Sequence, residues 1–377
     1  MLSRFFGFIK TLDVTLISAM LAISFSGLFT MSSFQGNDSY FWKQGLWIVL
    51  SSSIFLVASL FEYRFLKQTR VVMMIYGVLL FVLSLLFILG HVSKGAESWF
   101  RVGGVAFQPS DLMKLALIIV LAKYFSRRHI EIANIRHIIV SAVYTLIPFL
   151  LVVLQPDFGS AMVLFFIWFG LVFVSGISIR HLVVVFTIGA VTFALAWNLA
   201  FKPYQKARII NFINPLQDLR GTGYNAYQST IAVGSGGLLG KGVGFGTQSR
   251  LNFLPEYKTD FVFAAFAEEW GFVGSMLLLI FFFIIFYKLA LYALVADSTF
   301  EALFTYGVLI WIFTHTVINV GMNIGIMPVT GIPLPFMSYG GSHLLAEFLA
   351  LGMCSGMRRY ARSGHKYQMK NEFLGLE

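Results

Sequence analysis

Apolar residues in this chain come in long blocks, separated by short polar punctuation. A helix needs roughly 20 mostly apolar residues to cross the hydrocarbon core of a bilayer. Blocks of that kind predict spans at 12–31, 44–61, 71–91, 110–126, 138–155, 158–176, 181–200, 271–294, 302–323 and 342–359. The fourth is the least apolar, since Asp111, Lys114 and Lys123 interrupt it. Residues 302–346 contain no Asp, Glu, Lys or Arg, yet they are too many for one helix. Pro328, Pro333 and Pro335 break the stretch, which predicts an apolar re-entrant or surface loop before the last span. The first block, Val14 to Asn37, is too long for the apolar region of a secretory signal and lacks a convincing cleavage site, so it is expected to be retained.

Composition narrows the class. Of 377 residues, 58% are hydrophobic and 12% charged, whereas a soluble domain carries about 25% charged residues. Such a chain cannot cover a water-facing surface. The expected fold class is an all-α polytopic membrane protein of about ten transmembrane helices, forming a single integral membrane domain over 1–377. Cys354 is the only cysteine, which excludes internal disulfides and a Cys-based zinc site.

The formal charge of +10 splits by position. With the N-terminus inside, 15 Lys and Arg residues fall on the cytoplasmic side, among them Arg64, Lys67, Arg70, Lys288, Arg358 and Arg359. The short outer loops hold only Lys43, Lys94 and Arg101. This bias predicts that both termini, including the tail 360–377, are cytoplasmic. Residues 202–259 form the one sizeable segment that is not membrane-like, a large extracytoplasmic loop between spans 7 and 8. Its seven basic residues (Lys202, Lys206, Arg208, Arg220, Lys241, Arg250, Lys258) outnumber Asp218 and Glu256. A basic outer loop is not a nucleic-acid footprint. It fits an anionic ligand such as a lipid phosphate or diphosphate, or contact with lipid headgroups. The glycine-dense stretch 221–246 matches neither phosphate-loop pattern, and tight turns near the membrane are the expected use of its glycines.

Ionisable groups within or against a span are costly and therefore candidates for function. Asp111 and Lys114, three residues apart on one helical face, are either a structural ion pair or functional groups. Gln155-Pro156-Asp157-Phe158-Gly159-Ser160 breaks the chain between two spans, where Asp157 is a ligand or base, or else a helix N-cap. The richest segment is Leu254-Pro255-Glu256-Tyr257-Lys258-Thr259-Asp260-Phe261, leading into Glu268-Glu269-Trp270-Gly271. Thr259 or Asp260 has N-cap chemistry, and Asp260 stands where the basic loop enters the membrane. At least one of Glu268 and Glu269 is expected to face inward or bond loop amides. His315 and His343 are expected to be satisfied core or interfacial histidines. No HExxH or comparable spacing is present, so no tightly held metal is expected.

Several motifs occur in order between these spans. They are Trp99-Phe100-Arg101, Phe107-Gln108-Pro109-Ser110-Asp111 with Lys114, the Gln155–Gly159 break, Gly240-Lys241-Gly242, Leu254–Phe261, Glu268-Glu269, and Pro335-Phe336-Met337-Ser338-Tyr339-Gly340-Gly341-Ser342. Together they resemble the SEDS family (shape, elongation, division and sporulation) over nearly the whole chain. Residues 248–256 look more like its elongation branch, RodA, than its division branch, FtsW. Two small departures are Tyr257-Lys258, where Arg-His or Ala-His is common, and Trp270, where Leu is frequent.

The resemblance implies a reaction: polymerisation of lipid II into β-1,4-linked glycan at the outer face of the bacterial cytoplasmic (inner) membrane, with release of undecaprenyl diphosphate. The α-linked donor becomes a β-linked product, so a single inverting displacement is the simplest course. A sugar hydroxyl is a poor nucleophile, and Asp260 occupies the family's catalytic-aspartate position as general base. The departing diphosphate needs positive charge. Candidates are Arg101, Lys114 and Arg208, with Lys258 or a loosely held Mg²⁺ or Mn²⁺ assisting, and bidentate geometry favours the arginines. Trp99, Gln155 and Asp157 are the further substrate-contact candidates. Asp111, Glu268, Glu269, Ser338 and Ser342 would shape the site.

The implied partners are lipid II, undecaprenyl-linked glycan, surrounding membrane lipid and a class B penicillin-binding protein, with no nucleic acid. The apolar loop around Gly325 to Gly341 would be part of the transpeptidase docking surface or lie against lipid. Two alternatives are a lipid II flippase and a non-catalytic scaffold. The flippase would need two related halves with interrupted helices, and no such halves are evident. The scaffold would have no need for a carboxylate inside a basic loop.

Overall fold

In lipid, each backbone N–H and C=O must find a partner within its own segment, so long apolar blocks become helices. The computed structural model describes the chain except residues 1–11, 33–37, 90, 94–95, 103–104, 128–134, 200, 202, 215–221, 252, 255 and 375–377. In chain order the helices are α1 (Val14–Ser32), α2 (Asp38–Leu60), α3 (Thr69–Leu89), α4 (Pro109–Ser126), α5 (Ile135–Leu154), α6 (Phe158–Val174) and α7 (Ile179–Leu199). They continue with α8 (Pro203–Ile213), α9 (Thr222–Ser235), α10 (Thr247–Arg250), α11 (Val262–Leu294), α12 (Thr299–Asn323) and α13 (Gly341–Leu374). Three short strands, β1 (His91–Ser93), β2 (Ala96–Val102) and β3 (Val105–Phe107), form an antiparallel meander between α3 and α4.

Each of the ten predicted blocks is helical. Among the described residues, seven helices (α1, α2, α3, α5, α7, α11 and α12) are long and apolar enough to cross a membrane, and α6 is a shorter apolar helix. The other two, α4 and α13, are more polar, and Asp111 and Lys114 of α4 and Ser342, His343 and Glu347 of α13 are buried. Fourteen of the 18 residues of α4 are buried, including Asp111 and Lys114. α4 packs against α3, α5, α6, α12 and α13, while α13 lies along α2 and α11 along α1 and α12. By contrast, none of the span Arg180–Leu199 in α7 is buried.

Two features depart from the sequence-based expectation. Residues 202–259 are not an open loop, since they carry α8, α9 and α10, and α9 packs on α11. α11 also starts at Val262 rather than 271, and it passes a break at Gly271 (φ 67°, ψ −165°). The glycine-rich turn 236–242 supplies the missing hydrogen bonds. Phe272 and Val273 donate to Gly237 and Leu238 (2.9 and 3.0 Å), while Lys241 and Gly242 donate to Glu268 and Glu269 (both 3.0 Å). A Cβ on Gly240 would overlap the Glu269 carbonyl, and Gly240 has φ +81°, so this close approach needs glycine.

Residues 324–340, between α12 and α13, run through the bundle. Ile332, Leu334, Phe336, Met337 and Ser338 are buried against the chain itself. Of the two alternatives, residues 332–338 follow the re-entrant one and are not a surface loop, whereas 324–331 stay exposed or part-buried. The residues left exposed there include Ile324 and Ile326.

At the end of the bundle away from α11's start, Asp13 joins three helices. It sits just before α1, accepts the amides of Thr15 and Leu16 (3.1 and 3.3 Å), and pairs with Lys288 (3.0 Å) and Arg358 (2.6 Å). Burial pushes the Asp13 carboxyl up. Bonds from Lys288, Tyr292, Arg358 and Leu16 outweigh that effect and hold it at about 2, against an ordinary 3.8. A depressed carboxyl stabilises the fold above its unfolded value and loses that contribution as pH falls through the folded one. The melting temperature in detergent should therefore fall between pH 3.8 and about 2, and Asp13→Asn should remove that part of the slope. An unchanged pH profile in the variant would refute the clamp.

Candidate active site

The segment leading into α11 is a tight turn. Glu256 adopts a left-handed backbone (φ 51°), and its carbonyl accepts the amides of Thr259, Asp260 and Phe261 at 3.1–3.2 Å. Leu254, Tyr257 and Phe261 turn inward and form a small apolar cluster with Ala232 of α9 and Ala264 and Ala265 of α11. That anchorage fixes the residues between them. Neither Thr259 nor Asp260 caps α11, whose N-cap is Phe261 with no side-chain bond. The Thr259 hydroxyl instead bonds Glu256 Oε2 at 3.1 Å.

Three successive carbonyls of this turn are tied to other elements. Lys258 O accepts the Tyr339 amide (2.9 Å), and Thr259 O accepts the Ser338 hydroxyl (2.6 Å). Asp260 O accepts the amides of both Asn319 and Asn323 from α12, at 3.0 and 3.1 Å. Asn319 also donates to Ile332 O (2.8 Å), and Asn323 Oδ1 accepts the Ala264 amide (3.0 Å). The main chain is therefore locked while the half-exposed Asp260 side chain points at Gly331. A Cβ added there would lie 3.6 Å from its Oδ2. Arg208 of α8 reaches the same segment and donates to Thr330 O (3.2 Å). A carboxylate and a guanidinium thus flank Thr330-Gly331.

The other site candidates fall in different surroundings. Lys114 is 1% exposed and forms a buried ion pair with Asp111 at 3.0 Å. Ser342 donates to the other Asp111 oxygen (3.1 Å). Gln155, also 1% exposed, ties the end of α5 to Leu83 O of α3 (2.8 Å). Asp157 caps α6 through the Ser160 amide (3.0 Å) and accepts Gln108 Nε2 (2.8 Å). The Lys258 ammonium sits 3.9 Å from the centre of the Tyr40 ring and 5.0 Å from that of Tyr257. Trp99 is half-buried on β2 opposite His91. Arg101 has its backbone in β2, and its side chain lies outside the described residues.

Glu268 and Glu269 bind the glycine-rich segment. Glu268 accepts the amides of Thr247, Gln248 and Ser249 at the start of α10 and pairs with Lys241 (2.7 Å). Glu269 accepts the Gly244 amide (3.1 Å). These carboxylates hold 241–250 against α11, just over two turns beyond Asp260.

The sequence profile of the cell cycle protein family of FtsW, RodA and SpoVE matches residues 6–363. The chain belongs to this family. Among its relatives, the peptidoglycan glycosyltransferase MrdB of Escherichia coli (strain K12) is 36% identical over 273 residues, 72% of this chain and 74% of the relative. Stage V sporulation protein E of Bacillus subtilis (strain 168) is 34% identical over 358 residues, 93% of this chain and 96% of the relative. A solved peptidoglycan synthase complex, described as coordinating polymerization and crosslinking, contains a chain 31% identical with a TM-score of 0.80, covering 93% of this chain and 98% of that one. Crystalline RodA of Thermus thermophilus is 31% identical with a TM-score of 0.69, covering 92% and 97%.

In this member of the FtsW/RodA/SpoVE family, sequence reasoning missed Asn319 and Asn323. Two amides four residues apart in an otherwise apolar helix were the available signal. Both are fully buried. Removing a partner from a buried polar group costs about 1–3 kcal/mol. A carboxylate misplaced by 1 Å lowers turnover about 10²-fold. Asn323→Ala should therefore lower kcat far more than it raises KM. Unchanged kcat in a protein with a lowered melting temperature would make Asn323 a purely structural residue.

Proposed function

We propose that the chain is a peptidoglycan glycosyltransferase that polymerises lipid II into β-1,4 glycan, with Asp260 as general base. One observation carries this reading: a main chain fixed by α12 and the 330–338 segment presents the Asp260 carboxylate beside Gly331, with Arg208 on the same segment. Membership of the family and the name of the Escherichia coli relative support it. The Asp260 carboxylate takes the proton of the acceptor GlcNAc 4-hydroxyl as that oxygen attacks the donor's anomeric carbon. The bond to the diphosphate breaks on the opposite side, and undecaprenyl diphosphate departs with inversion. Arg208 balances the developing negative charge on the leaving diphosphate, with Arg101 as the second candidate and a loosely held Mg²⁺ or Mn²⁺ assisting.

We place this end of a ten-span bundle at the outer face of the cytoplasmic membrane. Lys67, Lys288, Arg358 and Arg359 support that orientation, since their contacts gather them at the other end with Asp13, Glu301 and Leu60. The elongation role rests on residues 248–256, and the partner is then a class B penicillin-binding protein, in keeping with the similar synthase complex.

The test is purified protein with lipid II, with and without Mg²⁺ or Mn²⁺. Glycan polymer is the expected product. Transbilayer movement of lipid II without polymer would replace the enzyme with a flippase. Arg208→Ala should reduce polymerisation about 10²-fold, on the scale of losing one charge-stabilising donor. Normal kinetics in that variant would remove Arg208 from the diphosphate site.

A further inference from the structure

Behind the 333–338 segment, α12 and α13 enclose a second polar cluster that the proposed reaction does not use. It consists of His315 on α12 with His343 and Glu347 on α13, at 1%, 4% and 0% exposure. The two histidine rings stack with centroids 5.1 Å apart. Among the described residues, these three bring one ligand atom each to within 4.8 Å of the others.

His315 and Glu347 each have one polar atom oriented by a neighbour and another left over. His315 Nδ1 lies 3.3 Å from Pro333 O, which makes Nδ1 the donor and leaves the Nε2 lone pair. Glu347 Oε2 accepts the Phe336 amide (2.9 Å), leaving Oε1. His343 Nδ1 lies 3.8 Å from Asp111 Oδ1, beyond hydrogen-bond reach, so neither of its ring nitrogens has an aligned hydrogen-bond partner. His315 Nε2, His343 Nε2 and Glu347 Oε1 have no hydrogen-bond partner. His343 Nε2 and Glu347 Oε1 come within 2.9 Å of each other, but without hydrogen-bond alignment. Buried polar atoms are otherwise almost always satisfied, so three converging orphans point to a missing partner.

We propose that His315 Nε2, His343 Nε2 and Glu347 Oε1 form a three-residue site for a divalent transition metal, zinc foremost, with a water as the fourth ligand. Two imidazoles and one carboxylate are a zinc donor set with ligands about 2.0–2.2 Å from the ion, hence about 3.3–3.6 Å from one another in a tetrahedral arrangement. The observed separations, from 2.9 Å to at most 4.8 Å, bracket that range. Pro333 O, Asp111 and the Phe336 amide stand where outer partners of metal-bound histidines and carboxylates stand. Nitrogen donors separate this site from any Mg²⁺ bound through oxygen at a diphosphate. Full burial means that the ion enters during folding. Its effect is to pin the 333–336 segment, including Phe336 in its left-handed conformation (φ 62°), to α12 and α13.

The test uses the full chain in detergent, expressed in medium supplemented with Zn²⁺ or with Co²⁺ and freed of loose metal by chelation. Mass spectrometry should find about one zinc per chain, and the Co²⁺ form should show tetrahedral visible absorption. His315→Asn and Glu347→Gln, scored only where size exclusion shows folded protein, should lower bound metal about tenfold or more. Wild-type protein that is metal-free and lacks the Co²⁺ spectrum would overturn the site and leave a protonated His343 as the neutralising charge. Folded variants that keep the metal would overturn it too. Neither readout depends on glycan synthesis.

Discussion

Asp260→Asn leaves the protein folded and inserted but abolishes glycan synthesis from lipid II. The expected loss is about 10²–10⁴-fold, the contribution of a positioned general base. Folding should survive because the turn is held through main-chain atoms. The carbonyls of Lys258, Thr259 and Asp260 take the bonds from Tyr339, Ser338, Asn319 and Asn323, and an Asn side chain leaves all of them in place. The isosteric amide accepts no proton at neutral pH, so chemistry fails while lipid II binding persists. Polymer yield and melting temperature, measured on the same preparation, separate the two. Full yield from this variant would end the assignment of Asp260.

Lys114→Met should be the most destabilising single change. It leaves Asp111 charged and buried, at 2% exposure, without its ammonium partner. Breaking a buried pair from one side costs about 3–5 kcal/mol, while replacing both partners is often close to neutral. The double variant Asp111→Asn with Lys114→Met should therefore recover most of the lost melting temperature. This pattern distinguishes a structural pair from a phosphate ligand. If Lys114→Met kept its melting temperature and lost only lipid II use, Lys114 would return to the diphosphate site.

The helices were legible because the solvent for most of the chain is lipid, and long apolar blocks have few ways to satisfy their backbones there. Continuation of a helix beyond a block was not legible. The predicted span begins at Gly271, where α11 breaks, but the helical segment before it depends on the 236–242 turn, which supplies the hydrogen bonds that let α11 continue across the break. The site was legible in part. Asp260 stood out as a carboxylate in a basic segment, and the family motif gave it a role. Lys258 belonged to the same motif, yet its direction depends on Tyr40, far away in sequence on α2. The roles of Asn319 and Asn323 depend on α12 passing behind Asp260. The His315, His343 and Glu347 cluster was invisible to spacing rules because its first member lies on a different helix from the other two.

The inward polarity of α4 has a consequence for biosynthesis. The hydroxyl that bonds Asp111 comes from Ser342, 231 residues further along the chain. While the ribosome makes that interval, α4 has left the insertion machinery with a carboxylate and an ammonium that have only each other. Asp111 and Lys114 lie in the first turns of α4, and ionisable groups within a span are costly until they are enclosed by other helices. α4 must therefore wait, beside the translocon, an insertase or its neighbours α3 and α5, for the last helix to arrive. Chains truncated before α13 should remain bound to that machinery and reach the degradation pathway before they reach the cell wall.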